Sequence, residues 1–463
     1  MTRAIADFGS FRDPSGRVFH VGDKIFRTVT RVAAEDFEFV RASGLIERLT
    51  GDGRLIGSQV VPPDALGEYA DGATYVVEHT RLPFVSYPYE WSFAALRTAA
   101  LHHLDIHLAA LDVGVTLSDA SAYNIQFQGA RAVFIDLLSF RRYQNGEMWS
   151  GHRQFCEQFL NPLLLRAKLG IPHNAWYRGT QEGIGAADLR RLLPWHGKLS
   201  RNVLLHVVAQ SAFQKSPIAS GSKHILTTAK FPLASYRRML SGLGDWIATL
   251  APADQGKTTW QDYARSHSYG DDEVAAKKDF VARFFGATKP DMVWDLGCNI
   301  GDYATVALDS GATHVVGFDF DHGALELAFS RALAEDLNFL PLFNDGANPS
   351  PDQGWHQRER KGLASRADAD AILALAWLHH IAIGRNIPID DVIDWLMGLA
   401  PRGIIEFVPK QDPMVRELLA LRDDIFSDYT EDYFFECVAR RGRIVETKTV
   451  TRTGRKLVWY ERA

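Results

Sequence analysis

The clearest pattern of apolar and polar positions lies between residues 291 and 321. An apolar run over 292–296 predicts a buried strand, the segment YATVALDSG predicts a helix, and 315–318 predicts a second buried strand. Further strand-like runs follow in NFLPLFND, ADAILALAWLHHIAI and RGIIEFVPK, and the segments RIVETKTV and KLVWYER are typical of a closing antiparallel pair. This alternation indicates a doubly wound α/β sheet of seven strands.

The first 250 residues carry a different pattern. Short strand-like runs, including a hairpin with its turn near 14–16, surround the helix-like segment AAEDFEFVRASGLIERL. A long amphipathic helix over 91–111 and a mostly helical region over 147–250 follow. These patterns predict an N-terminal α+β domain and a C-terminal α/β domain. The expected bounds are 1–215 (small lobe 8–88, helical lobe 89–215), a linker with a connecting helix over 216–257, and 258–463.

Composition narrows the function classes. A chain of 463 residues with 46% hydrophobic and 23% charged residues is typical of a soluble protein with two or three domains. A net charge of -5 gives no electrostatic case for nucleic acid or anionic membrane as the main partner. Cys156, Cys298 and Cys437 are scattered, so neither a disulfide framework nor a metal site is expected. No signal-like apolar core is present, and we expect a cytoplasmic protein without membrane insertion. The oligomeric state stays open.

The turn after the first strand of the α/β pattern carries the strongest chemical signal. It reads Asp295-x-Gly297-x-x-x-Gly301, and Asp319 ends the second strand. This spacing departs from G-x-G-x-x-G, which places a pyrophosphate on a helix N-terminus. An acid in the first turn repels a pyrophosphate but suits a ligand with a cationic end. An ordinary strand-helix-strand unit with turn glycines is the alternative.

In the form DLGCNxG the turn resembles motif I of class I S-adenosylmethionine (SAM) dependent methyltransferases, which have a Rossmann-like sheet. The resemblance implies that Asp295, Gly297 and Gly301 line the amino-acid and ribose part of SAM, and that Asp319 holds the ribose hydroxyls. The third strand ends at Asp345, where the family places the residue that meets adenine. A lid over the cofactor is expected around Tyr263, Ser268, Tyr269 and Lys278. The alternative is that Tyr263 and Tyr269 are packing residues of a domain junction. The remaining cofactor-binding candidates are Cys298, Asn299, Phe320 and Gly346.

Candidates for the methyl-transfer step follow the fourth and fifth strands. His379 is the preferred general base for a hydroxyl acceptor, and His380 comes second because it could turn into the sheet. Glu406 is the alternative base. The alternative is a structural role for both, in which one histidine caps the strand end and the other is a packing residue. For a phosphate or carboxylate acceptor, Lys410 and Arg385 would hold the anion instead.

A second motif, Asp119-x4-Asn124 followed by Asp136 after a short hairpin, resembles protein kinases and aminoglycoside phosphotransferases over residues 8–215. In kinases these positions accept the substrate proton and hold magnesium, which implies a possible Mg-ATP site. The match departs from HRD, from DFG and from the glycine-rich loop. Capping and turn roles are the alternative for all three residues. Arg27 or Lys24 could replace the strand lysine, with Glu35 or Glu38 as its partner. His102, His103 and His107 are expected to be solvated or core-edge histidines.

The C-terminal half resembles a group of bacterial class I methyltransferases related to nodulation-associated proteins. The resemblance rests on the short sequences NPSP, LHHIAIGRNIP, EFVPKxDPM and DYT, and on SYxxxxxxxK before motif I. LSDASAYNIQF and VFIDLLSF extend the resemblance to nearly the whole chain. The resemblance implies the cofactor and the fold more than the reaction. The leading hypothesis is a SAM-dependent methyltransferase that methylates a small molecule or glycan, most simply on oxygen, and whose kinase-like domain recruits substrate or regulates. The alternatives are a bifunctional kinase/methyltransferase and a SAM-binding protein without catalysis.

Overall fold

The computed structural model describes residues 3–209, 231–254, 270–420 and 422–462. The chain divides into two compact units. Unit 1 comprises Met1–Phe127, Arg131–Gln255 and Gln353–Arg360, and unit 2 comprises Gln128–Ala130, Gly256–Asp352 and Lys361–Ala463. Among the described residues, no helix combines the length and the apolar character needed to cross a membrane.

Unit 1 contains an antiparallel sheet with the strand order β1-β2-β3-β5-β4. Its strands are β1 (Ile5–Ala6), β2 (Val18–Val21), β3 (Lys24–Thr30), β4 (Ser58–Val61) and β5 (Ala73–His79). Two further pairs follow: β6 (Val115–Leu117) with β9 (Phe140–Arg142), and β7 (Ile125–Gln128) with β8 (Arg131–Phe134).

The position of the first hairpin turn was predicted wrongly. Val21 pairs with Lys24, so the turn lies at Gly22 and Asp23 rather than at 14–16. Gly22 has a φ of 58°, a value that glycine adopts without steric cost at the first central position of a tight hairpin. Gly16 lies against β3 instead, where a Cβ would be 1.8 Å from the carbonyl oxygen of Thr28. The glycine there serves close packing and not a turn.

The helices of unit 1 follow the predicted apolar spacing with one interruption. The first helix-like segment is split by Gly44, which has a φ of 72°. The long helix begins after Ser92, whose hydroxyl accepts a hydrogen bond from the Ala95 N–H at 3.2 Å. The helices are α1 (Arg31–Ala42), α2 (Leu45–Gly51), α3 (Phe93–Leu111), α4 (His152–Phe155), α5 (Asn161–Leu169), α6 (Asn174–Thr180), α7 (Ala186–Leu192), α8 (Arg201–Val203) and α9 (Leu233–Ala248), with π-helical segments at Cys156–Leu160 and Leu204–Ala209.

The segment assigned from sequence to the linker contains α9, which packs within unit 1. The Tyr236 hydroxyl lies 3.3 Å from Nε2 of His107 on α3. Just beyond α9, the Leu250 carbonyl accepts a hydrogen bond from Arg97 at 2.8 Å. Helix α9 is therefore part of the core of unit 1.

Unit 2 contains one seven-stranded sheet with the order β12-β11-β10-β13-β14-β16-β15. The first five of these strands are mutually parallel, and β16 is antiparallel to both β14 and β15. This arrangement confirms the predicted doubly wound sheet with a closing antiparallel pair. The strands are β10 (Met292–Leu296), β11 (His314–Asp319), β12 (Phe339–Phe343), β13 (Ala371–Ala374), β14 (Arg402–Phe407), β15 (Arg443–Thr449) and β16 (Lys456–Glu461).

The chain order reverses between β10 and β13, the central neighbours of this sheet. Both strands are buried along their whole length, as expected of parallel strands covered on both faces. Ligands of such sheets bind outside the carboxyl ends of the strands at this reversal. The helices of unit 2 are α10 (Asp271–Thr288), α11 (Asp302–Asp309), α12 (His322–Ala334), α13 (Leu378–Ala382), α14 (Ile389–Leu399), α15 (Pro413–Leu419) and α16 (Glu431–Arg441).

Candidate functional site

The glycine turn after β10 is held in left-handed backbone conformations. Gly297 and Gly301 have φ angles of 80° and 85°, and Asn299 between them has 48°. The N–H groups of Gly297 and Cys298 donate to the Phe318 carbonyl at 2.8 and 3.1 Å, which fixes the turn against β11. A side chain at Gly301 would meet a ring carbon at 2.5 Å. Both conformation and packing therefore require glycine at that position.

Trp377, which the sequence reasoning missed, forms a wall beside this turn. A Cβ on Gly297 would lie 3.0 Å from the Trp377 ring, and one on Gly346 would lie 2.4 Å from it. The two candidate glycines thus flank one indole, which also stacks on Trp395 with centroids 5.8 Å apart. The position of a large aromatic residue directly after the fourth strand is the only local signal that could have identified it.

Asp295 is a buried carboxylate without a full set of partners. Its side chain lies in β10 and is 2% exposed. Oδ2 accepts no hydrogen bond from any residue that the structure describes. Burial, reinforced by repulsion from Asp319 and opposed by the Lys277 charge, raises the pKa of Asp295 to about 7. A positively charged group beside Oδ2 would relieve both the missing hydrogen bond and the repulsion.

Asp319 ends β11 and braces the glycine turn. Its two oxygens accept hydrogen bonds from the Asn299 N–H at 2.8 Å and the Asp321 N–H at 2.9 Å. Burial raises the pKa of Asp319 to about 6, although these N–H groups favour its charged form. The two oxygens together can accept about four hydrogen bonds, so a hydroxyl donor can bind beside the backbone N–H groups of Asn299, Phe320 and Asp321. The carboxylate is thus fixed in position and can still bind a ligand.

A buried ion pair lies close to the same strand ends. Lys277 of α10 donates to Oε2 of Glu406 at 2.6 Å, and the Ala376 N–H donates to the same oxygen at 2.7 Å. Burial lowers the pKa of Lys277, and the Glu406 charge opposes that shift. Nζ of Lys277 also lies 5.0 Å from the centroid of the Tyr303 ring. Glu406 is fully buried and bound to two donors, which argues against its predicted role as a general base.

The other cofactor candidates are placed as follows. Lys278 lies on the exposed face of α10, so the lysine that reaches the motif is its neighbour Lys277. Burial raises the pKa of the Cys298 thiol well above its ordinary value and keeps it neutral. Phe320, beside Asp319, is 50% exposed. Asp345 receives the Arg385 guanidinium at 3.3 Å on each oxygen. Tyr263, Ser268 and Tyr269 lie outside the described residues.

His379 and His380 lie in the short helix α13 rather than at the end of β13, which stops at Ala374. The structure reverses the expected difference between them. His379 is 1% exposed, burial lowers its pKa well below the ordinary value, and neither ring nitrogen has a hydrogen-bond partner among the described residues. His380 is partly exposed, and burial lowers its pKa to about 4. His380 is therefore the histidine that an acceptor could reach.

Lys410 and Arg385, the two residues expected to hold an anionic acceptor, are each paired with a carboxylate. Lys410 binds both oxygens of Asp424 at 2.8 Å, and Arg385 binds Asp345. An anionic acceptor would have to compete with these partners.

Unit 1 gathers the residues of its predicted motif around an arginine. Arg27 of β3 donates to Oδ1 of Asp136 and to Oδ2 of Asp13, both at 2.5 Å. Asn124 donates to Oδ1 of Asp119 at 2.9 Å. Burial and repulsion from Asp136 raise the pKa of Asp119 to about 7. The capping alternative also holds in part, because Asp136 accepts the Leu138 N–H at 3.1 Å.

The helix partner expected for this arginine was wrong. Glu35 and Glu38 of α1 are exposed, and Glu38 accepts a hydrogen bond from Tyr75. Lys24 pairs with Glu78 at 2.9 Å. Among the described residues of β3, Arg27 forms the hydrogen bond to the motif, through Asp136, and it also binds Asp13.

The α3 histidines were expected to be solvated or at the edge of the core, but two of the three lie deeper than that. His103 and His107 are fully buried. Nε2 of His107 lies 2.9 Å from the Thr116 hydroxyl, and Nε2 of His102 lies 2.9 Å from the Arg54 carbonyl. Among the described residues, no group with metal-ligand spacing includes them.

The strand order, the glycine turn and the two strand-end acids give unit 2 the fold of the class I methyltransferases. No family model matches the chain. The chain is 44% identical over 458 residues to the nodulation protein NoeA of Rhizobium meliloti (strain 1021), covering 98% of this chain and 96% of that protein. The chain belongs to the family of this nodulation protein.

Two solved structures show weaker likeness. Magnesium protoporphyrin IX methyltransferase (ChlM) from Synechocystis PCC 6803, with bound SAM, is 20% identical, with 44% of this chain and 92% of that chain covered and a TM-score of 0.32. The N-methyltransferase NodS from Bradyrhizobium japonicum WM9 is 11% identical, with 42% and 97% covered and a TM-score of 0.30. Similarity at this level does not indicate the reaction.

Proposed function

We propose that unit 2 binds SAM and transfers its methyl group to a hydroxyl of a small molecule or glycan. The observation that carries the proposal is the buried Asp295 carboxylate, whose Oδ2 lacks a partner among the described residues beside a glycine turn. SAM has a cationic amino-acid end, ribose hydroxyls and an adenine. A dinucleotide would place phosphate charge against the same acid and be repelled.

The residues around the turn fit the parts of SAM. Asp295 accepts hydrogen bonds from the ammonium group, and Asp319 accepts them from the ribose hydroxyls. Phe320, half exposed beside Asp319, and Asp345, after the third strand, are the candidates for adenine. Lys277 is bound to Glu406 and holds α10 against the strand ends. When bound, SAM supplies an electrophilic methyl group, so the chain needs mainly to align the acceptor and exclude water.

His380 is our candidate for the general base. Its lowered pKa keeps the imidazole neutral at pH 7, and its partial exposure allows contact with an acceptor. His379 is a positioning residue, because its ring is buried against that of His380 with centroids 4.1 Å apart. Replacing His380 by Gln should lower turnover without changing the affinity for S-adenosylhomocysteine (SAH). Equal turnover in both proteins would remove His380 from this role.

The cofactor assignment is tested by calorimetric titration of SAH into the full-length protein. Asp319→Ala should weaken binding strongly, and the exposed Asp291→Ala, in the same unit, should not. Unchanged affinity in Asp319→Ala would refute the assignment. Acceptors are then sought by following SAH formation from SAM with cell extracts and purified glycans. Binding of SAH without any turnover would favour a SAM-binding protein that lacks catalysis.

A second function, nucleotide binding by unit 1, is favoured by one cluster. We propose a kinase-like fold for this unit. Its five strands have the order β1-β2-β3-β5-β4, with α1 between β3 and β4, and Arg27 reaches Asp136 from β3. In a kinase arrangement Asn124 and Asp136 would hold magnesium, and Asp119 would accept a hydroxyl proton. The raised pKa of Asp119 suits a base that works near neutral pH.

This second proposal is tested by titrating Mg-ATP into protein saturated with SAH. Magnesium-dependent binding that is lost in Asp136→Ala and kept in Asp64→Ala, an exposed carboxylate of the same unit, would support a bifunctional kinase/methyltransferase. No heat beyond dilution would mean that Arg27 permanently neutralises Asp136. Unit 1 would then recruit substrate or regulate the methyltransferase.

A further inference from the structure

Three potential metal ligands meet in the helical part of unit 1. Nε2 of His152 lies 3.0 Å from Nδ1 of His206 and 3.7 Å from Sγ of Cys156. One ligand atom from each side chain lies within 4.8 Å of the other two. No other group of three such residues has this spacing in the part of the chain that the structure describes. We propose that these three residues bind a divalent cation of the zinc class.

The distances match the ligand shell of a tetrahedral ion. Zinc binds imidazole nitrogen at about 2.0–2.1 Å and thiolate sulfur at about 2.3 Å, so tetrahedral ligands lie about 3.3 Å apart (nitrogen to nitrogen) and about 3.6 Å apart (nitrogen to sulfur). The distances from His152 to the other two ligand atoms are 3.0 and 3.7 Å. An ion could therefore enter with side-chain shifts of a few tenths of an ångström around His152, and the ligand atoms of Cys156 and His206 lie within 4.8 Å of each other.

The backbone that presents the ligands is unusual on both sides. Cys156 is the first residue of one π-helical segment, and His206 lies inside the other. Such segments are rare and are frequent at functional sites, because the wider turn re-aims a side chain. His152 lies one helical turn before Cys156, on the same face. Two separate π-helical segments, about fifty residues apart in sequence, thus direct ligands to one point.

The surroundings favour a borderline or soft cation and leave one coordination position to solvent. Cys156 is fully buried, His206 is 4% exposed, and His152 is partly exposed. Trp149 and Trp246 form aromatic walls, with ring centroids 5.8 Å from His152 and 6.1 Å from His206. Imidazole and thiolate ligands select zinc-like ions over magnesium or calcium. Three protein ligands would leave the fourth position to water on the side of His152.

The test uses the full-length protein without an affinity tag. After removal of bound metal with a chelator, Co²⁺ is titrated while the absorption spectrum is recorded. We expect one equivalent to bind with a thiolate-to-cobalt charge-transfer band and the intense visible bands of a tetrahedral site, and Zn²⁺ to displace it. Cys156→Ser should abolish the charge-transfer band, and Cys437→Ser, a buried cysteine of unit 2, should leave it unchanged.

A second variant covers the case in which Cys156→Ser does not fold. His152→Gln, at a partly exposed position, should weaken Co²⁺ binding at least tenfold, whereas His314→Gln in unit 2 should not. The proposal is overturned if less than half an equivalent of Co²⁺ binds, or if the charge-transfer band survives in a folded Cys156→Ser protein. In that case the three side chains form a hydrogen-bonded group only. Neither result depends on SAM binding or methyl transfer.

Discussion

Replacement of Asp295 by Asn should stabilise the protein without ligand and abolish tight SAH binding. The pKa of Asp295 rises from 3.8 to about 7 in the fold. One pKa unit corresponds to about 1.4 kcal/mol, so ionised Asp295 destabilises the empty fold by about 4 kcal/mol above pH 7. The amide removes this cost but leaves a buried donor without a partner, which costs about 1–3 kcal/mol. The net gain at pH 8 is about 1–3 kcal/mol.

The pH dependence of this gain has a definite sign. A carboxyl group whose pKa is raised by folding contributes stability below its unfolded pKa, and this contribution is lost as the pH rises through the folded value. The advantage of Asp295→Asn should therefore grow by about 2–3 kcal/mol between pH 5 and pH 7 and then stay constant. In the same variant the loss of a charged hydrogen bond should weaken SAH binding by about 10- to 100-fold.

The assay is scanning calorimetry of the transition that SAH shifts in the unaltered protein. A gain of 1 kcal/mol raises the midpoint by about 2–4 °C in a domain of this size. Asp291→Asn, the same substitution at an exposed position just before β10, should change stability by less than about 0.5 kcal/mol. A loss of stability in Asp295→Asn at pH 8, or a gain that does not depend on pH, would refute the reasoning.

Four further predictions concern the same unit. SAH affinity should fall up to tenfold per pH unit below pH 7, because protonated Asp295 no longer attracts the ammonium group, and calorimetry of Asp295→Asn should show no such dependence. Lys277→Met should destabilise by about 3–5 kcal/mol because Glu406 loses its short ion pair and keeps only the Ala376 N–H and the more distant Arg455 charge, and the double variant with Glu406→Gln should recover part of the loss in urea unfolding. Gly301→Ala should destabilise by more than about 1 kcal/mol because its φ is 85° and a ring lies 2.5 Å away. Gly398→Ala, in open space on α14, should stabilise by up to about 1 kcal/mol in the same measurement.

The sheet of unit 2 and its turn could be predicted because their signals are local. Strands buried on both faces read as continuous apolar runs, and a left-handed turn needs glycine at fixed positions. The sequence is less informative about which helix residue faces the sheet, because Lys277 and Lys278 are adjacent and chemically identical. Only the packing of α10 selects Lys277, which reaches Glu406 across 129 residues of sequence.

The polar partners in unit 1 could not be predicted from the sequence for the same reason. Arg27 binds Asp13 and Asp136, which are 14 and 109 residues away, and no periodicity signals such pairs. The three metal-ligand candidates could not be predicted from spacing either: His152 and Cys156 are four residues apart, but His206 is 54 residues from His152. The sequence also gives no signal that Gln353–Arg360 belongs to unit 1. This segment is connected to the unit by Glu359, which binds Arg12 at 2.8 Å although 347 residues separate the two.

Two buried aspartates of unit 2, Asp412 and Asp295, differ in their hydrogen-bond partners and in the direction of their pKa shifts. Asp412 is 1% exposed, accepts two hydrogen bonds from Arg455 at 2.7 Å, and has a lowered pKa chiefly through that partner. Asp295 is equally buried, but its Oδ2 has no partner among the described residues and its pKa is raised. Asparagine at 412 would remove the short ion pair with Arg455, whose other carboxylate partner, Glu406, lies 3.9 Å away, and would destabilise the fold. Asparagine at 295 should do the opposite. The Lys277 charge offsets only part of the cost of burying Asp295, which agrees with the proposed role of this carboxylate in binding the ammonium group of SAM.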